Sequence, residues 1–162
     1  MIKIIFVSEE DTCLGPLAEH IMKATLPLQN DYEVLSRGRV VLFPEPYNLQ
    51  VQKILIRHGM KMDEEENEAV SVPFSIDEVD ENTIILTMSM QQKINLLEDY
   101  GNIWQIYSLA EFAGESEDVP DPYGGTEEDY EKCFLELERL IKLIIQKLSA
   151  AQSLAGQAVP EP

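Results

Sequence analysis

The chain predicts an α/β fold of three layers, with a central four-stranded parallel sheet and helices on both of its faces. Three observations carry that prediction. Short runs such as IKIIFV at residues 2–7 and NTIILTM at 82–88 are apolar on both faces, as strands covered from both sides must be. Helical stretches separate the runs, so successive strands are joined by right-handed crossovers. The first run leads directly into SEEDTCLGP at residues 8–16, a short loop with Gly-Pro before a helix. Such sheets bind their ligands there, beyond the carboxyl ends of the strands.

Each element follows from local chemistry. Gly15-Pro16 starts the first helix, where the missing proline N–H costs nothing, and Leu17, Ile21, Met22 and Leu26 give it one apolar stripe. Residues 32–35 (YEVL) read as the second strand, ending in Ser36-Arg37-Gly38. Residues 46–59 carry Val51, Ile54, Leu55 and His58 at helical spacing, with Gly59 as the cap. The third strand spans 82–88, a short helix 91–100, and a fourth strand 103–107 (IWQIY). The last helix begins at a Thr126-x-x-Asp129 box. Tyr130, Cys133, Phe134, Leu137, Leu140, Ile141, Ile144 and Leu148 form its stripe, and Glu127 and Glu128 suit the positive end of its dipole. The expected domain is therefore 1–148, with an Ala/Gln/Ser/Pro-rich tail, 149–162, expected to be disordered.

Charge narrows the function. The chain has 162 residues, with 30 Asp and Glu against 12 Lys and Arg, a formal net charge of -18. Nucleic acid and anionic membrane both require a basic face and are excluded as partners. No apolar run approaches a membrane span and the N-terminus lacks a signal-peptide pattern, so the expected location is the cytoplasm. Cys13 and Cys133 are far apart, and His20 and His58 are isolated. Neither a metal site nor a disulfide is signalled, and no cofactor is expected. Cys13 and Cys133 read as buried thiols, and the two histidines as structural residues within helices.

The pattern resembles the low-molecular-weight protein tyrosine phosphatases, above all their bacterial members, which include protein-arginine phosphatases. In that family the first strand runs into Cys-x5-Arg-Ser-Pro, and Asp-Pro-Tyr/Phe-Gly supplies a general acid. Here residues 8–16 lie on the first motif and Asp121-Pro122-Tyr123-Gly124 on the second. Ser36-Arg37-Gly38, His58-Gly59 and TIILTM followed by Gln91-Gln92-Lys93 are further landmarks, so the resemblance covers residues 1–148 in order.

The resemblance implies a site whose chemistry has been overwritten. Ser8 stands at the nucleophilic cysteine, and a hydroxyl needs an adjacent base that neither motif provides. Leu14 stands at the arginine that clamps phosphate, and Gly15 at the serine after it. Glu9, Glu10 and Asp11 bring negative charge where a phosphate dianion would sit. Thr12 matches the arginine phosphatases, Asp121 keeps the general-acid position, and Tyr47 and Tyr123 stand as pocket walls. The expectation is an inactive pseudophosphatase, monomeric, with a binding or regulatory role toward a phosphoprotein or regulatory protein. Two alternatives stay open. One is a residual phosphatase, acting on phosphotyrosine or phosphoarginine with Asp121 as acid. The other is a divalent-cation module built on Glu9, Glu10 and Asp11.

Overall fold

In the computed structural model, which describes residues 1–60 and 70–157, four parallel strands form one sheet. They are β1 (Ile2–Ser8), β2 (Tyr32–Gly38), β3 (Thr83–Thr87) and β4 (Ile106–Ser108), in the order β2-β1-β3-β4. The helices are α1 (Leu14–Thr25), α2 (Leu49–Arg57), α3 (Met90–Tyr100), α4 (Leu109–Ala113) and α5 (Glu127–Gln157). None of those described is long and apolar enough to cross a membrane.

The alternation of side chains along β1 divides the core into two layers. Ile4 and Phe6 join the larger cluster, where α1, α2 and α5 contribute Leu17, Ile21, Leu55, Phe134, Leu137 and Ile141. Ile5 and Val7 join the other, with Phe74, Ile85, Leu96 from α3, Ile103 and Ile106. Burying one such side chain fully contributes about 1.5–3 kcal/mol, so Ile4, Ile5, Phe6 and Val7 together contribute about 6–12 kcal/mol from this one strand.

Local capping agrees with the sequence. Thr126 Oγ1 accepts from the Asp129 N–H at 3.2 Å while Asp129 Oδ2 accepts from the Thr126 N–H at 2.9 Å. Gly59 takes φ +69, and the next N–H, of Met60, reaches back to the Leu55 carbonyl at 2.8 Å. Asn48 caps α2 by accepting from the Gln50 N–H at 2.8 Å, so that helix starts at Leu49 rather than 46.

Several expectations change. β2 continues through Ser36-Arg37-Gly38, because these residues pair with Phe6, Val7 and Ser8. β4 is shifted to 106–108, since only these residues lie opposite β3, while Trp104 is turned out to solvent. α4 was not expected at all, although Ser108 and Glu111 form a capping box at its start. The expected disordered tail is helical as far as Gln157, the alanine, glutamine and leucine of this stretch being good helix formers. Residues 158–162 lie outside the described residues.

Candidate functional site

The loop between β1 and α1, residues 9–13, hangs from the middle of the sheet. Main-chain bonds fix it to the chain that follows β2: the Arg39 N–H donates to the Ser8 carbonyl at 2.8 Å, Val40 N–H to Glu9 at 2.7 Å, and Asn48 N–H to Thr12 at 2.8 Å. Residues 39–48 thus form an arch pinned to the loop at both ends. Close approach requires glycine. A Cβ on Gly38 would lie 2.9 Å from the Glu10 carbonyl carbon, and one on Gly15 would lie 2.8 Å from Ser8 Oγ.

The three acids of the loop go three different ways. Glu9 makes a two-pronged pair with Arg39 (Nε–Oε1 2.8 Å, Nη2–Oε2 3.2 Å), and Arg39 Nη1 also reaches Asp99 Oδ2 at 2.9 Å. Glu10 is exposed. Asp11 is 1% exposed and folded beneath the loop, in the left-handed region at φ +58. Its Oδ2 accepts from the Val72 N–H at 2.9 Å. Oδ1 completes no hydrogen bond, although the Ser36 hydroxyl lies near the carboxyl group. Burial pushes this carboxyl up to about 7, eased by Ser36 and the Val72 N–H and reinforced by the negative charge of Glu19.

This geometry weighs against the alternative of a cation module, because Glu9 is committed to an arginine and Asp11 to a backbone N–H beneath the loop. Among the described residues no group of three His, Cys, Asp or Glu is placed to hold a metal. It also corrects the charge argument: only Glu10 is a full, unpaired, solvent-facing charge in the loop. Carboxylates before the N-terminus of α1 are favoured by its dipole, so the fold tolerates them.

Above the loop lies a cleft of about 320 Å³, lined by Ser8, Glu9, Glu10, Asp11, Thr12, Cys13, Leu14, Met88, Gln92, Asp121 and Tyr123. The sequence-predicted residues of both motifs are therefore brought together, with Gly15 in contact just behind Ser8. Among the described residues, no Lys, Arg or His lines the cleft. Ser8 is buried, and its Oγ accepts from the Asp11 N–H at 3.2 Å. Leu14 is buried as the first residue of α1 and joins the core. Asp121 is exposed, and its Oδ1 accepts from the Tyr123 N–H at 3.0 Å, which sets the turn before α5.

Tyr47 is corrected: it does not line this cleft but is buried, its ring edge-to-face with His20 at 6.0 Å. Cys13 is half-buried rather than buried, and burial, then the charge of Asp121, pushes its thiol up to about 12. Cys133 is buried in the core, with its thiol likewise raised to about 12 by burial. His20 Nδ1 lies 2.9 Å from the Pro16 carbonyl. His58 follows α2 rather than lying within it, with Nε2 2.6 Å from Glu131 Oε1 and its ring stacked on Phe134 at 3.9 Å. Arg39, Ser36, Glu19 and Met88 were not anticipated at the site. Arg39 had one legible signal, its place directly after the strand that neighbours β1.

Comparison with known proteins agrees with this arrangement. The family model described as low molecular weight phosphotyrosine protein phosphatase matches residues 3–154. The low-molecular-weight protein-tyrosine-phosphatase PtpB of Staphylococcus epidermidis is 31% identical over 142 residues, covering 88% of this chain and 96% of its own length. The solved YwlE arginine phosphatase from Geobacillus stearothermophilus superposes with a TM-score of 0.83 at 24% identity, covering 100% of both chains. A Cys-to-Ser mutant of a YwlE arginine phosphatase, solved with its active-site serine phosphorylated, gives 0.79 at 26% identity, covering 91% of this chain and 96% of that one.

Proposed function

The chain belongs to the low-molecular-weight phosphotyrosine protein phosphatase family, and from that membership we propose that it is a member without phosphatase chemistry, acting in the cytoplasm as a binding or regulatory protein toward a protein partner. One observation carries the proposal: among the described residues, no cationic side chain lines the cleft over Ser8, where a phosphatase of this family would hold a phosphate dianion. Transition-state charge in phosphoryl transfer is stabilised almost entirely by positioned cations and N–H donors. The side chain of Leu14 can supply neither. Glu10 about 5 Å from one phosphate charge would oppose it by about 3 kcal/mol at an effective dielectric near 20.

The nucleophile points the same way. Ser8 has no histidine beside it, and Asp11, the nearest carboxyl in the loop, is held under it by the Val72 N–H. The retained Asp121 has a structural role that needs no catalysis, since its carboxylate anchors the turn at Tyr123.

The test is hydrolysis of an aryl phosphate and of a phosphoarginine peptide by the purified full chain, followed by intact mass. The expected result is no turnover above background and no phosphoryl group on Ser8. The phosphoserine of the mutant relative makes the second readout decisive, because a serine that accepts phosphate without releasing it would be missed by turnover alone. Activity that survives repurification and disappears in Asp121→Ala would establish the residual phosphatase instead.

A further inference from the structure

Exposed apolar side chains stand on the cleft wall and on the arch bonded to its loop. Leu42 and Phe43, on the arch of residues 39–48, are 88% and 64% exposed, and Tyr123 on the cleft wall is 79% exposed. The arch that carries Leu42 and Phe43 is bonded to the loop at Ser8, Glu9 and Thr12, three residues that line the cleft, so the two side chains belong to a segment tied to the cleft's own floor. Large apolar side chains gathered around a concavity mark an interaction surface.

The charges around that surface state what it would accept. Glu10 and Asp121 both line the cleft, and neither has an ion-pair partner among the described residues. Leu14 and Met88 add an apolar lining that suits a methylene stem. A divalent ion fits poorly, since the acids of the loop diverge. A flat guanidinium on a long stem fits all of it: carboxylates for its N–H groups, an aromatic face to stack on, and apolar lining for its chain. A net charge of -18 adds attraction at long range for a basic partner.

We propose that this surface docks a segment of a partner protein that presents an unphosphorylated arginine between apolar residues. The guanidinium enters the cleft between Glu10 and Asp121 against Tyr123, and the flanking apolar side chains lie on Leu42 and Phe43. The inference rests on the reading of the cleft as one that does not bind phosphate, and it names the chemistry of the partner for that same cleft.

The experiment uses the full chain and four fluorescein-labelled peptides with a central Leu-X-Phe in a Gly/Ser background, where X is arginine, lysine, citrulline or phosphoarginine, followed by fluorescence anisotropy. The arginine peptide is expected to bind, with an affinity that falls as salt rises. Citrulline, which keeps the shape without the charge, and phosphoarginine should each bind at least about ten-fold more weakly, as loss of a charge-assisted contact dictates. Lysine, lacking the flat fork, should be weaker by about three-fold or more. Tyr123→Ala should weaken the arginine peptide by roughly two- to five-fold, and Glu10→Gln, Asp121→Asn and Leu42→Ser each by a similar amount. All four residues carry exposed side chains, so the variants should keep the wild-type unfolding midpoint. Equal binding of arginine and citrulline, tighter binding of phosphoarginine, or no binding of the arginine peptide at about millimolar concentration overturns the proposal. Hydrolysis of the phosphoarginine peptide would overturn the inactive reading itself, and is scored separately by product analysis.

Discussion

Replacing Asp11 with asparagine should stabilise this protein near neutral pH and leave it little changed in acid. Asp11 is 1% exposed, and its carboxyl is raised from 3.8 to about 7, first by burial. In the unfolded chain it titrates near 3.9. Between those two values the folded state holds a proton that the unfolded state has lost. Stability is therefore fully present below about pH 4, falls by about 1.4 kcal/mol per pH unit across the window, and levels off above about pH 7. The whole cost is about 4 kcal/mol, a large share of the stability of a single domain. Asparagine removes the titration while keeping an oxygen for the Val72 N–H, adding an amide that can face Ser36, and tolerating φ +58. The assay is urea unfolding of wild type and Asp11→Asn from about pH 4 to pH 8 at fixed ionic strength. The readout is how their difference changes with pH, since repulsion among the remaining acids cancels between the two proteins. A gain for asparagine that grows by about 3 kcal/mol between about pH 5 and pH 8 is expected. A difference that stays flat, or that grows toward acid, would refute the account of Asp11 as a buried, hard-to-ionise carboxyl.

Three further outcomes follow from the same geometry. Ser8→Cys with Leu14→Arg should remain inactive on aryl phosphates, because Glu10 still opposes the phosphate; rescue by these two changes alone would mean that the remaining charge matters little. Gly38→Ala should lower stability by about 1–3 kcal/mol in urea titration, since its Cβ would meet Val41 Cγ2 at 2.5 Å and the Glu10 carbonyl carbon at 2.9 Å, the latter being backbone that cannot turn away. Both thiols, raised to about 12, should react with a disulfide reagent at neutral pH at least about 100-fold more slowly in the native protein than in urea; comparable rates would place Cys13 in an open, ionised setting.

What could be seen in the sequence depended on how local its cause was. The strands at 2–7 and 82–88 and the stripe of α5 were legible because burial imposes a repeating pattern on neighbouring residues. The boxes at Thr126 and at Ser108 and Glu111 are equally local, each written within four consecutive residues. At the site, both motifs were recognisable and do meet in one cleft. The behaviour of the acids was not legible. Glu9 finds its partner at Arg39, and Asp11 finds its own at the Val72 N–H, so a loop that reads as three solvated charges is settled by contacts from distant parts of the chain. Tyr47 was not legible for a related reason: its ring is buried and meets His20 edge-on, a contact from another part of the chain.

The way the loop is anchored carries one more consequence. Ser8 is the last residue of a strand flanked on both sides, its carbonyl bonded to the Arg39 N–H, while the Val7 carbonyl takes the Met88 N–H. These are main-chain bonds, and no exchange of side chain at residues 8–14 removes them. Position and chemistry are thus set by separate parts of the same residues, the backbone fixing where the loop begins and the side chains deciding what it can hold. The hydroxyl of Ser8 and the exposed carboxylate of Glu10 can be changed there while these main-chain bonds stay in place. The scaffold therefore offers a mounting point whose contents can be exchanged without rebuilding the frame.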